Sequence, residues 1–205
     1  LSAPRPGSSG GRSAFGGRSR GSGGRQRRSI DDPGVSRESA EASNVLKQAT
    51  RSGGLPGPGD RAPDFRLSLL EGSAAPDYVK PDEKGLIRLS QHQDKKPVVL
   101  IFGSYTCPPF ASQAGRLEEL YSKYRKSAAF FVVYIREAHP IDGLSPLPAS
   151  RSVNDPKTFL ERTEVASSCA KKLNFTMPML IDDMKDSTAR NYGGYPDRLY
   201  LVGKD

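Results

Sequence analysis

Cysteine, histidine and long apolar runs are all scarce in this chain, and each scarcity removes a class of function. Two cysteines, Cys107 and Cys169, make no disulfide framework; the count fits a reducing, intracellular and cytoplasmic setting and a thiol kept for chemistry. Nothing resembles a zinc site, and no metal is expected. No apolar stretch approaches the roughly 20 residues that cross a bilayer, so the chain carries no membrane segment. Apolar residues make up 35%, low for a chain that is globular throughout, so part of it is expected to lack structure.

That part is residues 1–59, rich in Gly, Ser, Arg and Pro, without periodicity and with no acidic residue before Asp31. Such a segment cannot bury enough apolar surface to offset ordering entropy, so it reads as a disordered, low-complexity tail. The first 54 residues hold 10 Lys/Arg against 4 Asp/Glu, +6 of the formal +8, and the remainder is nearly neutral. A basic surface therefore belongs to the tail, and the folded domain, residues 60–205, has no nucleic-acid footprint. The Arg and Ser content leaves organelle targeting open, although the glycines spoil the amphipathic helix of a transit peptide. The chain opens on Leu1, and its natural start is expected to lie further upstream.

What is present centres on residues 97–110, PVVLIFGSYTCPPF. The apolar run 98–102 has the pattern of a parallel strand buried on both faces. Gly103 ends it, and Pro108 suits the first position of a helix, which makes Cys107 the cap. A thiol there faces unpaired amides and the positive end of the helix dipole, so a lowered pKa and a nucleophilic role are expected. The helix carries Phe110, Ala114, Leu117, Tyr121 and Tyr124 on one stripe and ends near Ser127. A second apolar run, 129–135, completes a βαβ unit. Ligand chemistry collects at the carboxyl ends of parallel strands, which places His139 at the same edge as Cys107, with Glu137 able to orient it.

Further along, the Pro- and Ser-rich loop 142–155 is expected to wall the site. Asp155 and Pro156 are expected to cap a helix whose face holds Cys169, a core residue or a resolving thiol for Cys107. A strand at 179–181, a short helix in 183–192 and a strand at 198–202 follow. His92 lies in the polar stretch HQDKK and reads as a surface histidine.

The strand, glycine and Cys-Pro helix start resemble the thioredoxin superfamily, and GSYTCPPF is similar to the selenocysteine signature of the iodothyronine deiodinase family, with Cys107 at the selenium position. YIREAHPIDG (134–143) and YGGYPDRLY (192–200) resemble two further signatures of that family, and the resemblance runs from about Ala62 to the end. It implies an α/β thioredoxin-like fold whose last strand and helix lie beyond Asp205. It implies catalytic roles for Cys107 and His139, supported by Thr106 and Glu137, and substrate contact for Arg198. Pro178 corresponds to the proline loop, normally cis, that faces the active cysteine of thioredoxin folds. One departure stands out: vertebrate deiodinases carry a second histidine where this chain has Ser150, which leaves the iodothyronine substrate open.

The implied activity is that of an oxidoreductase in which the Cys107 thiolate attacks a halogenated aromatic or similar soft electrophile. No cofactor is bound, and the partners are a small-molecule substrate and an external thiol reductant of the thioredoxin, glutaredoxin or glutathione class, with a homodimer left open. Two alternatives are a peroxiredoxin-like thiol peroxidase and a non-catalytic binding module using the basic tail on nucleic acid.

Overall fold

The computed structural model describes residues 27–147 and 151–205. Helix α1 spans Arg37–Arg51; strands β1 and β2 span Arg66–Leu69 and Leu86–Arg88, followed by a 3-10 turn over Leu89–His92. Next come β3 (Val98–Gly103), α2 (Pro108–Tyr124), β4 (Ala129–Tyr134), α3 (Phe159–Lys172), β5 (Met179–Ile181), α4 (Ser187–Tyr192) and β6 (Arg198–Val202). The six strands form one sheet in the order β2-β1-β5-β4-β3-β6.

The two apolar runs do what their composition dictates. β3 and β4 pair in parallel, Leu100 beside Phe131 and Gly103 beside Tyr134, and β5 adds in parallel to β4. Alternate residues supply two cores. Leu100, Phe102, Phe131 and Val133 face α1 and α4, with Leu46, Ala189 and Tyr192. Ile101, Phe130, Val132 and Tyr134 face α2 and α3, with Phe110, Leu117, Tyr121, Ala166 and Cys169. Burying each large apolar side chain contributes about 1.5–3 kcal/mol, so these central strands fix the architecture. β6 runs antiparallel to β3, with Arg198 opposite Phe102. The parallel β3-α2-β4 unit, the helix opening at Cys107 and the antiparallel β6 make this a thioredoxin-like α/β fold.

Three expectations need correction. The tail does not lack structure as far as Gly59: Ser36 caps α1 by accepting from the Ser39 N–H, and Ala40 and Leu46 are buried. Thr50 of that helix donates to the Tyr195 carbonyl at 3.2 Å, so α1 belongs to the folded domain. Its buried stripe is Ser39, Ala40, Ser43 and Leu46, too small and polar to stand out as apolar periodicity. The portion of that expectation on residues 1–26 lies outside the described residues.

Asp155 does not cap α3. Thr158 does, accepting from the Glu161 N–H, while Asp155 is buried in an ion pair with Arg136. His92 is no surface residue either: it is 4% exposed, with Phe131 and Tyr78 rings at 5.4 and 6.1 Å. Burial, with Lys95 and Lys96 nearby, holds its imidazole down to about 4.

Candidate active site

The carboxyl end of β3 is shaped by Gly103, where an added Cβ would come within 2.2 Å of the Phe110 ring. Glycine thus lets the first turn of α2 fold back on the strand end. Cys107 is the cap residue of α2, as expected, with extended backbone and no side-chain capping bond. Its N–H donates to the Ser104 carbonyl at 3.1 Å.

Beside this turn, the segment that leaves β4 makes a chain of buried hydrogen bonds. Glu137 is wholly buried. Its Oε2 accepts from the Thr106 N–H at 2.8 Å and from Thr106 Oγ1 at 2.5 Å, and its Oε1 accepts from the Tyr134 hydroxyl. Tyr134 Oη in turn accepts from the Tyr105 N–H, and Thr106 Oγ1 accepts from the His139 N–H at 3.0 Å. Ala138 N–H reaches Ser104 Oγ at 3.2 Å. Residues 104–106 and 137–139 are therefore locked together, which fixes Cys107 against the segment bearing His139. Burial raises the Glu137 pKa, and the Thr106 and Tyr134 bonds counter it.

Glu137 acts on Thr106 rather than on the imidazole. The His139 ring is oriented by the Ser145 carbonyl, 2.7 Å from Nδ1. A carbonyl only accepts, so Nδ1 carries the proton and the lone pair of the neutral ring sits on Nε2. His139 lines a cavity of about 120 Å³ with Pro140, Leu144, Tyr195, Pro196 and residues of α1.

The sulfur of Cys107 faces a group that sequence reasoning missed. Its thiol donates to Asp197 Oδ1 at 3.5 Å. The expected low pKa is overturned: Cys107 is 1% exposed, and its thiol is pushed up to about 12. Burial is the largest cause, Asp197 and Glu137 add to it, and the Phe110 amide of the helix start opposes it. At an exposed helix terminus the dipole would win; here desolvation beside two carboxylates outweighs it. Asp197 was present in the third signature, but nothing local revealed that β6 pairs antiparallel with β3 and delivers its first residues to the cysteine.

The pairing of β5 with β4 corrects the proline. Pro178 stands at the start of β5, where its carbonyl accepts from Val132 N–H, a register three residues below Gly103 and two strands across. Two interstrand spacings amount to about 10 Å, so Pro178 is remote from Cys107. Among the described residues the cis peptide is Tyr195–Pro196, in the turn that presents Asp197. Arg198 does occupy the same edge, half-buried, with Nη1 3.5 Å from the Tyr200 hydroxyl; among the described residues it forms no salt bridge with Asp197 or Glu137. Cys169 is wholly buried in the core under α3, with its thiol pushed far up by burial, and both cysteines are free thiols. Ser150 lies outside the described residues.

Below this edge, Arg136 bonds Asp155 and Asp186, and Arg162 bonds Asp186 and the carbonyls of Asp182 and Asp183, all buried but Asp183. This network ties Asp155, α3 and the start of α4 to the end of β4. No helix among the described residues is long and apolar enough to cross a membrane.

The chain resembles thioredoxin-type structures such as a thiol-disulfide oxidoreductase domain from Bacteroides vulgatus, 13% identical, TM-score 0.46, covering 73% of this chain and 89% of the other. A secreted disulfide oxidoreductase from Mycobacterium tuberculosis is 16% identical, TM-score 0.44, covering 69% and 77%. In sequence the chain is similar to thyroxine 5-deiodinase of Rattus norvegicus, 34% identical over 149 residues, 68% of this chain and 46% of that protein. The Gallus gallus protein of the same name is 32% identical, over 69% of this chain and 56% of its own length. The chain thus spans about half the length of these relatives. The family model described as iodothyronine deiodinase matches residues 45–205, from within α1 through β6, and the chain belongs to that family.

Proposed function

We propose that this chain is the reacting domain of a thiol-dependent oxidoreductase that removes a halogen, iodine above all, from an aromatic small molecule. The observation that carries this reading is the Cys107 sulfur at a helix start, against the Asp197 carboxylate and tied through Thr106 to the His139 segment. The relatives named thyroxine 5-deiodinase support the substrate class.

At rest the thiol is protonated, since burial beside Asp197 and Glu137 pushes it well above the ordinary thiol range. The proton therefore leaves as the substrate reacts. Asp197 Oδ1 accepts it, sulfur bonds to iodine, and the carbon–iodine bond breaks with its electron pair on the ring carbon. The carbon takes that proton back from Asp197, and a His139 ring that has picked up a second proton on Nε2 is the alternative donor, returning to the neutral form held by the Ser145 carbonyl. The net change is thiol plus aryl iodide to sulfenyl iodide plus arene. An external thiol then displaces iodide as a mixed disulfide, and a second frees Cys107. Thr106, Glu137 and Tyr134 position the turn, and Arg198 stands where it can meet the substrate.

The test is iodide release from a panel of iodophenols, with dithiothreitol as reductant. Wild type should turn over, Cys169→Ser should match it, and Cys107→Ser should not. Release by Cys107→Ser equal to wild type would refute the proposal.

A further inference from the structure

The cavity beside His139 has one wall from α1, which supplies Ser43 and Lys47, against Ala138, Pro140, Leu144 and the Tyr195–Pro196 turn. Its lining is apolar apart from a few side chains, and α1 contributes one charged residue to it, Lys47. Lys47 lines it, and Arg27 and Arg51 act on Lys47 electrostatically. Among the described residues none of these three cations forms an ion pair. Asp142, on the loop below, is already engaged by Lys157 at 3.6 Å and by the Asp155 N–H at 2.8 Å. Arg28 is tied to the Ile141 carbonyl at 2.9 Å. The Lys47 pKa is lowered, first by burial, then by Arg27 and Arg51.

We propose that Lys47 and the cavity beside His139 form a subsite for the carboxylate of an organic acid, which selects anionic over neutral substrates. The size fits that assignment. About 120 Å³ equals roughly four water volumes, room for a carboxylate on two or three carbons but not for a ring. An attached aromatic ring would lie outside the cavity, over His139 and toward the edge that carries Asp197 and Cys107. Only this direction of the ring rests on the dehalogenation reading; the anion subsite does not.

The experiment uses the full chain with Cys107→Ser, so that binding is read without turnover. The probes are 3-(4-iodophenyl)propionate and its primary amide, which share shape and differ in charge, titrated calorimetrically and by the His139 ring proton signals. The acid should bind about fivefold or more tightly than the amide, the scale of one partly exposed charge pair. Lys47→Met, a good helix former in an exposed position, should abolish the preference, and Lys47→Arg should keep it. Equal binding of acid and amide by the Cys107→Ser chain, or a preference that survives Lys47→Met, overturns the subsite. Dehalogenation by the unaltered thiol is assayed separately, so its failure and the failure of this subsite are distinguishable.

Discussion

The two ends of the central sheet treat the same chemistry in opposite ways. At the amino end, His92 is enclosed by Tyr78 and Phe131 and kept neutral, and Pro178 begins β5 among apolar residues. At the carboxyl end, Thr106, Glu137, Tyr134, His139 and Asp197 are each held by a polar partner, with buried Arg136 and Arg162 beneath them. A histidine or carboxylate takes its role from the strand end it occupies. Parallel strands direct their carboxyl ends, and the loops that follow, to one edge, and β6 joins that edge only because it runs the other way.

The largest effect should come from unbalancing the buried charges of the carboxyl end. Asp186→Ala leaves Arg136 and Arg162 short of a partner and should cost about 3–5 kcal/mol in urea unfolding, a loss typical of broken buried pairs. Next, the two histidines should separate. His139→Ala should lower iodide release by roughly 10²-fold with the fold intact, the scale of acid–base assistance. His92→Ala should instead cost stability, on the order of 2 kcal/mol from the lost packing, and leave chemistry per folded molecule unchanged.

His92 also sets a pH window. Below its ordinary value of 6.5 the unfolded chain takes a proton that the folded chain refuses until about 4. Stability from this group is therefore lost as pH falls from 6.5 to 4, and His92→Phe should flatten that part of the pH dependence of unfolding. Asp182 works in the opposite sense: burial raises it to about 6, so the folded chain holds a proton that the unfolded chain releases, and stability falls as pH rises from about 4 to 6. Comparing His92→Phe with Asp182→Asn resolves the two slopes.

The smallest effect concerns Asp197. Asp197→Asn removes a negative charge beside the thiol, so Cys107 should titrate lower and react with iodoacetamide at a lower pH than in wild type, while burial still keeps it above the ordinary thiol value. An unchanged alkylation profile would show that the carboxylate does not act on the sulfur.

How much of this was readable from sequence depended on how local the cause was. β3, β4 and the cap position of Cys107 were legible because an unbroken apolar run and a Cys-Pro step are properties of a dozen consecutive residues. The edge shared by Cys107 and His139 followed from the parallel order of those strands. α1 escaped because its buried stripe is built of Ser39, Ala40 and Ser43. Pro178 was assigned the wrong end because the pairing partner of β5 is not written in its own three residues, and Asp197 was missed for the same reason at β6. The raised thiol pKa was invisible since it arises from burial and from carboxylates 30 and 90 positions away, Glu137 and Asp197.

The central claim is that the Cys107 sulfur itself takes the halogen. Mixing the chain with excess iodophenol in the absence of any reductant tests it in one turnover, with released arene counted and the remaining thiols mapped by mass spectrometry. The account predicts about one dehalogenated product per chain, loss of the alkylatable thiol at Cys107, and an untouched Cys169. Product formed while Cys107 stays fully alkylatable, or thiol loss at Cys169 instead, would contradict it.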